Sequence, residues 1–252
     1  MSFARHAVMA AVLVLAAAFP GAAPAQAQES LACRPFAADS LLAAPEPRPI
    51  EAARKRFDAI TEAVRTRPYR ALFLGDSLTQ LWDPENWQEN LAPRGVLNAG
   101  VSGDRTEHLL WRLDHGNLDG PPPRVAIVLI GTNDLGHGRP PKIAAEGIRA
   151  VLVKLRARLP KTRILLLGLW PRGASVGDHL RQEVGAVNRM IETCGDNRAV
   201  YYADIGGVVL GFRGELTRAI SPDLLHFSAA GYQRLSLPLV RLLDPLLAMP
   251  PL

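Results

Sequence analysis

A doubly wound α/β fold, five parallel strands in the order 2-1-3-4-5 with helices on both faces, is predicted by three observations. Five short apolar runs with little polar alternation read as buried strands. Segments with helical spacing lie between them, and that alternation calls for right-handed crossovers and a parallel sheet. Glycine or short polar residues stop the runs, where the carboxyl ends of the strands would open on one edge.

The chain has 252 residues. Arg5 and His6 precede an apolar run from Ala7 to Phe19, then Pro20, Gly21 and the small-x-small site Ala25-Gln26-Ala27. This is the pattern of a secretory signal over residues 1–27, too short to span a bilayer, so a periplasmic or secreted product without stable membrane insertion is expected. Ala23 is an alternative cleavage site. Residues 28–49, rich in Pro and Ala, read as an extended arm, and 50–252 as one α/β domain. Pro49 is expected at the first position of a helix carrying Ile50, Ala53, Phe57, Ile60 and Val64 on one face, and Pro68 ends it.

Strand one is 71–74, stopped by Gly75-Asp76-Ser77; Trp82 and Trp87 follow as core aromatics. Strand two is 96–99, halted by Gly100 and Gly103, before a helix from Thr106 to Leu113. Strand three, 125–130, is the clearest buried run and ends at Gly131-Thr132-Asn133-Asp134. A helix over 142–159 stops at Pro160; strand four is 164–169 and the next helix 178–193. Strand five is 200–203, and the last helix starts after Ser228, a suitable N-cap, and runs towards Leu247 despite Pro238.

The formal charge is +5, with basic residues scattered among acids, so nothing forms a nucleic-acid stripe. Two cysteines, Cys33 and Cys194, would in an oxidising compartment permit one disulfide from the arm to the end of a late helix; two unpaired thiols is the alternative. Neither has neighbours with metal-ligand spacing.

The topology carries Ser77, Gly103 and Asn133 to the ends of strands one, two and three, and Asp223 and His226 to the loop before the last helix, on the same edge. A serine hydroxyl needs a base to take its proton, and a neutral imidazole is suited to that near pH 7. Asp223, three residues before His226, can orient its ring. The N–H groups of Ser77 and Gly103 and the Asn133 amide can receive an oxyanion. Singly, each has a plainer reading: Ser77 as a helix cap, Gly103 as a turn residue, Asn133 as a loop anchor, Asp223 and His226 as caps of the last helix. Their convergence favours catalysis. His6, His108, His115, His137 and His179 lack such partners and read as surface or structural residues. Gly173-Ala174-Ser175-Val176-Gly177 matches the G-x-S-x-G elbow as a string, but Trp170-Pro171-Arg172 separates Ser175 from strand four, so a loop residue is expected there.

With these residues assembled, the chain resembles the GDSL/SGNH hydrolase family. Gly75-Asp76-Ser77-Leu78 is similar to its first block, Asn98 through Gly103 to its second, Gly131-Thr132-Asn133-Asp134 to its third and Asp223-Leu224-Leu225-His226 to its fifth. Within the family it is similar to the catalytic subunits of intracellular platelet-activating-factor acetylhydrolase, through 98–113 and Gly168-Leu169-Trp170-Pro171-Arg172-Gly173. The resemblance implies a flavodoxin-like three-layer αβα sandwich, no cofactor and no metal. It also implies that Leu78, Thr132 and Leu225 border a short acyl pocket. The export signal and the arm depart from those acetylhydrolases.

The expected activity is that of a serine esterase removing short acyl groups, acetyl above all, from carbohydrate or lipid esters through an acyl-enzyme. Its partner is a small-molecule or glycan ester, and the chain is expected to be a monomer or homodimer. Rival readings are a lysophospholipase or thioesterase, a sugar O-acyltransferase, and a non-catalytic acetyl-glycan-binding module.

Overall fold

The computed structural model describes residues 44–252. The expected signal, most of the arm and Cys33 lie outside the described residues; Cys194 is buried. Helix α1 spans Glu51–Thr66. Pro49 is not its first residue: Ile50 is extended, its N–H bonded to Arg48 O at 2.9 Å, and the helix begins after it. Arg67 is extended, as a residue before proline must be, and closes α1.

Strand β1 (Ala71–Gly75) runs into the short helix α2 (Ser77–Gln80). A turn of helix α3 (Pro84–Asn86) continues into a π-helical turn, Trp87–Leu91, and a 3-10 turn, Ala92–Arg94. Then come β2 (Val96–Gly100), α4 (Thr106–Asp114), β3 (Val125–Leu129), the short α5 (Thr132–Gly136) and α6 (Pro141–Arg158). Strand β4 (Arg163–Leu167), α7 (His179–Ile191), β5 (Val200–Ala203) and α8 (Ala229–Ala248) complete the fold.

The sheet order is β2-β1-β3-β4-β5, every neighbouring pair parallel. This is the expected topology. The inner strands β1, β3 and β4 are buried along their whole length, while β2 and β5 keep partly exposed positions as edges. Strand β4 ends earlier than its apolar run because Leu169 turns its N–H to Asn188 Oδ1, at 2.7 Å, instead of to a strand.

Helices α4, α6 and α7 pack side by side, whereas α8 packs on β3 and on the turns after α2. An aromatic cluster fills the α8 side: Trp82 lies 5.8 Å from Phe73, 4.8 Å from Tyr232 and 5.9 Å from Trp170. Phe227 closes the cluster, 5.7 Å from Trp170 and 5.9 Å from Tyr232. Trp82 is thus core, as expected, and Trp87 is half-buried against it. Rings of this size bury enough area to pin the loops that carry them.

Candidate active site

Strand β1 delivers Ser77 to the carboxyl edge of the sheet. Asp76, not Ser77, caps α2, accepting the Leu78 N–H at 2.9 Å, so the Ser77 hydroxyl is not committed to capping. The close approach of α2 to β2 depends on Gly100, where a Cβ would meet Asp76 O at 2.7 Å and Thr79 Cβ at 2.8 Å.

The loop before α8 brings the imidazole. Phe227 anchors it in the aromatic cluster, and Tyr232 Oη donates to Leu78 O at 2.9 Å, tying α8 to α2. His226 Nε2 stands 2.9 Å from Ser77 Oγ, across 149 positions of sequence. Asp223 Oδ2 lies 2.7 Å from His226 Nδ1, while Oδ1 accepts the backbone N–H groups of Leu225 (3.0 Å) and His226 (2.7 Å). Partial burial pushes the Asp223 carboxyl up, but the His226 ring and these two N–H groups outweigh it and hold it below its usual range. An ionised Asp223 accepts a hydrogen bond from the Nδ1–H, which leaves the Nε2 lone pair for the Ser77 hydroxyl.

Gly103 sits in the left-handed region, φ +76°, where a side chain is strained. Neither its N–H nor that of Ser77 meets an acceptor among the described residues. Asn133, at the start of α5, donates one amide hydrogen to Asp104 O at 2.9 Å and keeps a second. Ser77, His226 and Asp223 are thus in direct contact, while Gly103 and Asn133 stand at the ends of β2 and β3 on the same edge of the sheet, linked to each other through Asp104. Leu78 and Thr132, expected at an acyl pocket, are each only 1% exposed, and Leu225 is half-buried. Ser175 is an exposed loop residue between β4 and α7, as its spacing predicted.

Three further features escaped the sequence. Arg172 donates to Thr132 O at 2.9 Å and so fixes the start of α5. Arg48, from the arm, donates to Gly103 O. Leu224, between Asp223 and His226, has φ +63°, a conformation no residue pattern announced.

Beneath the loops lies a buried ionic layer: Arg112 binds Asp104 at 2.7 Å and Gly75 O at 2.8 Å, and Thr106 binds Asp134 through its N–H (3.1 Å) and hydroxyl (3.0 Å). Among the described residues, Glu46, Glu107 and His108 bring potential metal-ligand atoms within 4.8 Å of one another. Glu107, however, is already bound by Arg105 (2.5 Å) and by both Nη atoms of Arg139 (2.6 and 2.8 Å), and burial holds His108 down at about 4. Three nearby guanidinium groups, those of Arg48, Arg105 and Arg139, oppose a cation there. No helix among the described residues is long and apolar enough to cross a membrane.

Residues 73–234 match the model of the GDSL-like lipase/acylhydrolase family. The chain is 36% identical over 182 residues to platelet-activating factor acetylhydrolase IB subunit alpha2 of Homo sapiens, covering 71% of this chain and 78% of that one. To subunit alpha1 of the same organism it is 36% identical over 180 residues, covering 70% and 76%. Among solved structures, a GDSL-like lipase from Bacteroides thetaiotaomicron superposes with a TM-score of 0.64 at 19% identity, over 77% of this chain and 99% of that one. An acetyl xylan esterase superposes with a TM-score of 0.57 at 18% identity, over 68% and 98%. These last two are likenesses of fold.

Proposed function

This chain belongs to the GDSL-like lipase/acylhydrolase family and is a serine ester hydrolase, and we propose that Ser77 is its nucleophile and a short O-acyl ester, acetyl above all, its substrate. The observation that carries the reading is the continuous relay Asp223–His226–Ser77, with contacts of 2.7 and 2.9 Å.

In the proposed cycle His226 Nε2 takes the Ser77 proton as Oγ attacks the ester carbonyl. The oxyanion is received by the N–H groups of Ser77 and Gly103 and the free amide hydrogen of Asn133. Imidazolium returns the proton to the leaving alcohol, giving an acyl-Ser77 enzyme. Water, deprotonated by His226, then attacks the acyl carbon and releases the carboxylic acid, restoring the serine. Asp223 orients the ring and stabilises its charged form.

Burial favours a small acyl group: Ser77 is 6% exposed, and Leu78 next to it and Thr132 at the end of β3 are packed. Acetylated carbohydrate is the leading substrate. The signal-like segment 1–27 supports export, where such polymers occur, and an acetyl xylan esterase shares the fold. The acetylhydrolase relatives make an acetylated phospholipid the second candidate.

The test is a p-nitrophenyl ester series of increasing chain length, with acetate release from acetylated xylo-oligosaccharide and from an acetylated ether phospholipid. Acetate selectivity, abolished in Ser77→Ala and kept in Ser175→Ala, is the expected outcome. Activity retained in Ser77→Ala overturns the nucleophile; faster turnover of long acyl chains overturns the substrate class.

A further inference from the structure

The loop between β2 and α4, which carries Gly103, is gripped by two arginines from outside it. Arg56 on α1 donates to Gly100 O (3.0 Å), Asn98 O (2.7 Å) and Asn98 Oδ1 (3.0 Å), holding the end of β2. Arg48, just before α1, donates to Gly103 O at the far end. Its own backbone is fixed by the bond from the Ile50 N–H, and its guanidinium lies against the Gly103 Cα, where a Cβ would meet Cζ at 2.5 Å. Between the two grips, Gln80 of α2 accepts the Ser102 N–H at 2.6 Å.

Gly103 is the residue of this loop that most needs holding. Glycine has the widest conformational choice, and here it sits at φ +76°. Pinning its carbonyl fixes the peptide that joins it to Asp104, whose N–H is bonded to Val101 O at 3.1 Å, and so restricts where the next carbonyl, Asp104 O, can lie. That oxygen receives the amide of Asn133 at 2.9 Å. One guanidinium thus constrains two of the three donors assigned to the oxyanion.

We propose that Arg48 is a positioning residue for ester hydrolysis: it holds the Gly103 N–H, and through Asp104 O the Asn133 amide, in the geometry that receives the oxyanion. The inference rests on the donor assignment above, and it gives the segment before α1 a role in turnover.

The experiment compares wild type, Arg48→Ala and Arg48→Lys on p-nitrophenyl acetate, with and without added guanidinium ion. Amide hydrogen exchange over residues 101–104 is measured in parallel, with thermal melting to check folding. In Arg48→Ala, kcat is expected to fall about tenfold to a hundredfold, less than the loss of a whole donor, with KM nearly unchanged. Guanidinium restores part of that kcat in Arg48→Ala only, Arg48→Lys is intermediate, and exchange at Ser102 and Asp104, whose N–H groups are bonded to Gln80 Oε1 and Val101 O, quickens in Arg48→Ala. Full kcat in Arg48→Ala, or exchange unchanged across the loop, overturns the proposal. A wild type that turns over no ester defeats the functional reading instead, and the exchange rates then still decide whether Arg48 holds the loop.

Discussion

Asp223 divides its two oxygens between two tasks. Oδ1 takes the N–H groups of Leu225 and His226, folding the loop into a tight turn, and Oδ2 takes the ring Nδ1. The turn is reached only with Leu224 at φ +63°, which costs about 1 kcal/mol or more for a residue with a Cβ. Such strain persists where the surroundings over-determine it, here through Gly173 N–H bonding to Leu224 O at 2.9 Å. In Asp223→Asn the amide can present hydrogens to Nδ1, favouring the tautomer whose Nε2 carries a proton and cannot accept one from Ser77. On the assigned mechanism kcat is expected to fall about a hundredfold to ten-thousandfold with KM little changed. Steady-state kinetics on p-nitrophenyl acetate measure it. Because the Asp223 carboxyl is held below its usual range, it stays ionised through the neutral and mildly acidic region, so acid inactivation there is not its doing.

At the level of elements, the site depends on how closely helices approach the sheet edge. Helix α6 comes so near the start of α4 that a Cβ on Gly147 would lie 2.6 Å from Thr106 Cβ. Thr106 in turn holds Asp134, the neighbour of Asn133. Alanine at 147 would gain about 1 kcal/mol in helix propensity, but overpacking costs about 1–3 kcal/mol, and here the obstacle is a β-branched side chain with little freedom to move. Gly147→Ala is therefore expected to lower the melting temperature; an unchanged or higher value shows that α6 can shift. Contacts of this kind mark where sequence reading stopped. The five strands, the start of α7 at Asp178, the cap Ser228 and the meeting of Ser77, Asp223 and His226 are legible, because apolar runs, capping side chains and parallel topology leave local signals. Pro49 falls outside α1 because Ile50 is held extended by its N–H bond to Arg48 O, a turn that leaves no pattern in the sequence. The π-helical turn at Trp87–Leu91 and the reach of Arg48 and Arg172 to distant carbonyls arise from tertiary packing, which leaves no periodicity to read.

Across the whole molecule, the carboxylates under the site set how stability varies with pH. Asp76 is fully buried; Oδ1 accepts the Leu78 N–H, and Oδ2 has no hydrogen-bond partner among the described residues. Burial pushes its carboxyl up to about 7, the Leu78 bond and Arg112 opposing and the charges of Asp104 and Asp134 reinforcing. Burial raises Asp104 and Asp134 as well, against the pull of Arg112 on the one and of Thr106 on the other. For Asp76 the folded state holds its proton more tightly than the unfolded chain, whose Asp titrates near about 4. Its contribution is therefore complete below pH ~4 and is lost as pH rises through about 7. Glu107 works in the opposite sense: burial raises it, but Arg139 and Arg105 outweigh burial and hold it low, so its contribution disappears only in acid. Between these limits stability should decline towards alkaline pH, while a histidine base works only when neutral and so needs the less acidic side. Asp76→Asn keeps the acceptor for Leu78 and cannot ionise. Melting curves at pH 5 and pH 8 should show the variant losing less stability over that interval than wild type, with its advantage greatest at pH 8. Parallel pH dependence in the two proteins would mean that Asp76 does not change its protonation state between pH 5 and pH 8, and would overturn this account.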